Sequence, residues 1–178
     1  MKTGKKISII NSMEQNQNYH EQENKRNILK MREVLSTLPP FCKQFFRGIE
    51  NQTSPRTRLA YAYDVRLFFE FLHETNSICK KMEITDFPLS LLDQVKREDI
   101  EEYMEYLSLY DRDGVETTNK ERGKARKLAS LRSFYHYYFR NELIQTNPPA
   151  LVPMPKLHEK EIIRLDPNEV AILLDQVE

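Results

Sequence analysis

Glycine is scarce in this sequence: four residues in 178. That scarcity excludes the glycine-rich loops that cradle phosphates in nucleotide-binding folds. Cysteine is scarcer still. Cys42 and Cys79 form no close pair and no metal-ligand cluster, which points to buried thiols in a reducing compartment, the cytoplasm. The four histidines, His20, His73, His136 and His158, are scattered, so no metal site is expected. No apolar run approaches the ~20 residues of a membrane span. The lysine-rich start has no long apolar core and no cleavage signal, which argues against secretion. Nowhere does a strand-like alternation convince. Net charge is also lacking: 27 Lys+Arg balance 27 Asp+Glu, so the total says nothing about nucleic acid.

The distribution of charge says more. Between Glu83 and Glu116 the acids are Glu83, Asp86, Asp93, Glu98, Asp99, Glu101, Glu102, Glu105, Asp111, Asp113 and Glu116, against Lys96, Arg97 and Arg112. The next stretch, residues 119–140, carries Lys120, Arg122, Lys124, Arg126, Lys127, Arg132 and Arg140 against Glu121 alone. Its apolar spacing predicts one long amphipathic helix. Leu128, Leu131, Tyr135 and Tyr138 share one face. At about 100° per residue, Arg122, Arg126, Ser130, Ser133 and Tyr137 take the opposite side, without a carboxylate. Such a face suits a DNA groove. It would equally suit a solvated face on a bundle helix, attracted to its acidic neighbour.

The remaining chain reads as helices and connectors. Residues 1 to about 22 are polar and rich in Asn and Gln, and disorder is expected there. Ile28, Met31, Leu35 and Leu38 space a helix from about Asn24 to Ser36, broken by Pro39-Pro40. Phe41, Phe45, Phe46 and Ile49 make a second, short apolar stripe. Ser54-Pro55 is a helix start, a hydroxyl cap followed by proline at the first position. That helix should run to about His73 on a core stripe of Tyr61, Val65, Phe68 and Leu72. Ser54, Arg56 and Thr57 lie at its N-terminus, where free N–H groups favour a phosphate. Residues 74–94 read as a linker with a helical turn near Pro88–Asp93. A helix then starts near Lys96, with Ile100, Tyr103, Met104 and Leu107 inside and Glu98, Glu101, Glu102 and Glu105 outside. Lys96 and Arg97 are its only evident phosphate partners. Asp111–Gly114 is a turn. Pro148, Pro149, Pro153 and Pro155 predict an extended connector. Asp166-Pro167 starts another helix.

The order of these pieces resembles a known family. Thr57, Tyr61, Asp64, Val65, Phe68, Phe71 and Leu72 are spaced as in the first helix of the core-binding domain of tyrosine recombinases, the phage integrases and Xer-type enzymes. Val95 through Ile100 with Tyr103 resembles the second helix. Residues 126–135, from Arg126 to Tyr135, resemble the family's R-x-L-S-A-L-R-S-F-Y helix, with Ala129-Ser130 in inverted order. Asn147-Pro148-Pro149 through Lys156 resembles the linker, and residues 164–174 the start of the catalytic domain.

The resemblance implies an all-α, SAM-like core-binding bundle of four to five helices with an N-terminal helical extension. The implied division is a disordered arm (1–22), the helical extension (23–52), the DNA-binding domain (53–145), a linker (146–163) and the first helix of a truncated catalytic domain (164–178). It implies the DNA-binding part of a site-specific recombinase, serving DNA integration or chromosome dimer resolution. The expected partners are duplex DNA and other recombinase protomers on it, with no membrane, small-molecule ligand, metal or other cofactor. The family's catalytic residues match nothing in this chain, so no catalytic residue is assigned. The implied DNA contacts are Ser54, Arg56, Thr57, Lys96, Arg97, Arg122, Arg126, Lys127, Ser130, Arg132 and Ser133. The competing reading is a helical protein-interaction module without DNA binding.

Overall fold

The computed structural model describes the backbone of residues 3–112 and 114–157, and the side chains of 19–111 and 114–157. Its helices are α1 (Thr3–Ser36), α2 (Cys42–Gly48), α3 (Pro55–Thr75), α4 (Leu91–Gln94), α5 (Arg97–Tyr106) and α6 (Glu121–Arg140). A hairpin of β1 (Tyr110–Arg112) and β2 (Val115–Thr117) is the one sheet among the described residues. The all-α expectation holds. The helix expected at the end of the sequence, and with it the boundary at residue 164, lies outside the described residues.

Local chemistry explains where the helices begin. The Ser54 hydroxyl accepts from the Thr57 N–H at 3.2 Å, and Pro55 occupies the first helical position. The Lys96 N–H donates to Asp99 Oδ2 at 2.7 Å and closes the start of α5. α6 begins after Asn119, whose backbone N–H and side-chain amide both donate to the Leu107 carbonyl, at 3.1 and 3.3 Å.

α6 runs through the core. Phe134 meets Phe45 of α2 edge-on at 5.2 Å and Phe69 of α3 at 6.1 Å. Phe68 and Tyr103 bring α3 against α5 at 5.2 Å. A close approach requires Gly48: a Cβ there would lie 2.3 Å from the Tyr137 ring. Cys42 and Cys79 are free and fully buried, and burial pushes both thiols up.

Two sequence expectations, the disordered arm and the extended proline connector, need correction, while the helical turn within 74–94 and the turn at Asp111–Gly114 hold and gain detail. In place of a disordered arm followed by a separate helix, α1 is continuous from Thr3 to Ser36. No proline interrupts the chain before Pro39, and its Glu, Gln, Lys and Met residues are good helix formers. The 74–94 linker is built of 3₁₀ turns at Cys79–Lys81 and Ile84–Asp86 followed by α4. The Asp111 turn closes a hairpin: Asp111 Oδ1 accepts from the Gly114 N–H at 2.8 Å, and Gly114 takes the left-handed φ of 79°. Three-residue strands are too short to show alternation. Finally, the proline segment is not simply extended. Pro148–Leu151 forms a 3₁₀ turn packed on α5 and α6, with Pro148, Pro149 and Val152 buried.

Candidate nucleic-acid interface

One exposed stripe runs along α6. Arg122, Arg126, His136 and Arg140 are exposed, with Ala129 and Ser133 half-buried between them. Their spacings alternate between about three and four residues, which keeps all six within one helical face. No carboxylate falls on it. At the C-terminal end the stripe opens into a cleft of about 180 Å³ lined by Gln52, Ser133, His136, Tyr137 and Arg140. Gln52, which lines this cleft, lies two residues before Ser54, the cap of α3. There Arg56 is exposed, while the Ser54 and Thr57 hydroxyls lie 3.0 Å apart, partly committed to the cap.

Behind the stripe lies a buried ionic cluster. Asp64 of α3 is 2% exposed. Its Oδ2 accepts from Arg126 Nη1, and its Oδ1 is 3.9 Å from Lys127 Nζ. Burial pushes the Asp64 carboxyl above its ordinary range, and the Arg126 and Lys127 charges pull back without cancelling the effect. Lys127 also donates to Asn119 Oδ1 at 3.0 Å.

The expected contacts therefore separate. Arg122, Arg126 and Ser133 share the exposed stripe, whereas Ser54, Arg56 and Thr57 lie at the start of α3. Lys127 and Ser130 do not face outward. Both are buried, and the Ser130 hydroxyl donates to the Lys127 carbonyl at 2.9 Å. The opposite-face reading placed Ser130 outside, but α6 packs against both α2 and α3, so its buried arc is wider than one apolar stripe. Arg132 turns away from the stripe: its Nε donates to the Pro149 carbonyl at 3.0 Å and its Nη2 to the Val152 carbonyl. Lys96 caps α5 and Arg97 opens it, and Arg97 is paired with Glu101 at 2.8 Å. The sequence reading assigned no contact role to Asp64, His136 or Arg140. A carboxylate between the core positions Tyr61 and Val65 was the available signal, since a buried acid requires a cationic partner.

The described residues form a helical domain whose helix α6 carries Arg122, Arg126 and Arg140 on one outward stripe and anchors Arg126 on a buried acid. No helix among them is long and apolar enough to cross a membrane. The chain belongs to the tyrosine recombinase group through its phage integrase N-terminal SAM-like domain, which matches residues 42–142. It is 32% identical over 163 residues to tyrosine recombinase XerC of Caldanaerobacter subterraneus subsp. tengcongensis, covering 86% of this chain and 44% of that protein. It is 35% identical over 112 residues to tyrosine recombinase XerC of Pediococcus pentosaceus, covering 63% of this chain and 31% of that protein. The chain thus spans less than half the length of these curated relatives. No solved structure matches it.

Proposed function

We propose that this chain is the DNA-binding part of a site-specific tyrosine recombinase and that it docks on duplex DNA through the exposed stripe of α6 and the start of α3. The observation that carries this reading is the carboxylate-free row of Arg122, Arg126, His136 and Arg140, in a chain of zero net charge. Arginine forks suit phosphate oxygens and guanine edges. The half-buried Ala129 and Ser133 between them keep the middle of the stripe low, so a duplex could approach closely. The acidic outer face of α5 would be held away from DNA. The relatives are named tyrosine recombinases, and recombination at a specific site, with other protomers on the same DNA as partners, is the role this reading gives the whole protein. Buried free thiols fit a reducing compartment, the cytoplasm.

The test is a titration of the chain against a short duplex at two salt concentrations. With roughly four phosphate contacts, affinity should fall roughly a hundredfold between about 50 and 200 mM salt. Absence of salt-dependent binding would leave the protein-interaction module as the better reading.

A further inference from the structure

We propose that Asp64 is a positioning residue for DNA contact: from the core, it fixes the outward fork of Arg126 for a backbone phosphate. This rests on the DNA-binding reading above.

Three observations combine. First, Asp64 is 2% exposed whereas the Arg126 side chain is 46% exposed, so the pair straddles the boundary between core and stripe. Second, Arg126 reaches Asp64 through Nη1, at one corner of its planar fork. A guanidinium has five donors in a rigid plane, so anchoring one corner orients the rest. Third, Lys127, with a side chain only 9% exposed, approaches the other carboxylate oxygen from the interior. With Asp64 ionised, the three groups sum to one positive charge. Lys127 offsets the acid from within, so the surplus sits on the exposed guanidinium. A long arginine held in one geometry before DNA arrives loses less conformational freedom on binding.

This arrangement makes an outcome opposite to simple charge counting. Removing an acid close to a phosphate-binding face should strengthen DNA binding if charge alone mattered. Asp64→Asn should instead weaken it about tenfold, the size of one charge-assisted hydrogen bond lost. The salt slope should fall by about one unit as the Arg126 phosphate contact is lost. Arg126→Gln should do the same, and the double variant should be no worse than either single one, because both remove one coupled contact.

The experiment measures duplex affinity at two salt concentrations for the parent and the three variants, with folding checked by circular dichroism. If the parent binds and Asp64→Asn binds equally or more tightly, Asp64 is a competitor for Arg126 or a purely structural acid. The positioning role then falls while the DNA-binding reading stands. If the parent shows no salt-dependent binding, both fall. Should Asp64→Asn fail to fold, Arg126→Lys decides. It keeps the charge but loses the fork, so an affinity loss of about tenfold supports positioning and parent-like binding overturns it.

Discussion

The Tyr138 hydroxyl donates to the Phe41 carbonyl at 2.8 Å, joining the last turns of α6 to the residue just before α2. The two rings also meet edge-on at 5.7 Å. This contact closes the N-terminal part of the chain onto the helix that carries the basic stripe. Tyr138→Phe keeps the ring and leaves the Phe41 carbonyl without that donor, a loss of about 1–3 kcal/mol. Urea unfolding of the parent and the variant measures it. An unchanged midpoint would mean that water replaces the hydroxyl.

Arg132 is expected to matter for structure and not for DNA. Its guanidinium holds the Pro149 and Val152 carbonyls, while Asp93 Oδ1 accepts from the Gln145 and Thr146 N–H groups at 2.7 and 3.0 Å. Together they strap residues 145–152 to the body. Arg132→Ala should speed proteolysis within residues 148–157 and lower stability by about 1–3 kcal/mol, with duplex affinity unchanged. Loss of affinity with an intact strap would return Arg132 to the DNA face.

A pH effect follows from Asp64. Its folded carboxyl lies above the ordinary value of 3.8, so the folded state holds the proton more tightly than the unfolded chain. The stability linked to that proton is fully present below the ordinary value and is lost as pH rises through the raised one. Asp64→Asn cannot titrate. The stability of the parent relative to this variant should therefore decline across that window and level off above it. Chemical unfolding of both proteins across the acid range tests this. A difference that grows in the parent's favour with rising pH would reverse the sign and show that the ion pair outweighs burial.

The boundaries of α3, α5 and α6 were legible because each has local determinants: Ser54-Pro55, Lys96 with Asp99, and the Leu128–Tyr138 periodicity. The position of Lys127 and Ser130 was not, because a helix wheel cannot show that α2 and α3 flank α6 on two sides. Arg132 was ambiguous for a similar reason, since its acceptors, the Pro149 and Val152 carbonyls, are brought beside α6 only by the fold. α1 was obscured by composition: Asn and Gln suggest disorder, but the absence of proline leaves a helix open. Of the candidate site, the basic character and Arg122, Arg126 and Ser133 were readable. The acid that anchors Arg126 needed the fold, because Asp64 and Arg126 are far apart in sequence.

The ranking of variants on DNA tests where the interface lies. Arg126→Ala should cost the most, about 1–3 kcal/mol of binding if the fork meets a base edge or a phosphate. Arg140→Ala, at the cleft end of the stripe, should weaken all duplexes alike and lower the salt slope by about one unit. Lys127→Ala should act mainly on folding, because its ammonium is enclosed with Asp64 and Asn119 and its loss leaves a buried acid less compensated. Glu102→Ala, on the acidic face of α5, should leave binding unchanged or slightly improved, because it removes repulsion from phosphate. Duplex titrations at two salt concentrations, paired with urea unfolding, separate binding from stability for all four. If Glu102→Ala loses affinity while Arg126→Ala and Arg140→Ala bind like the parent, the DNA face belongs on α5 and not on α6.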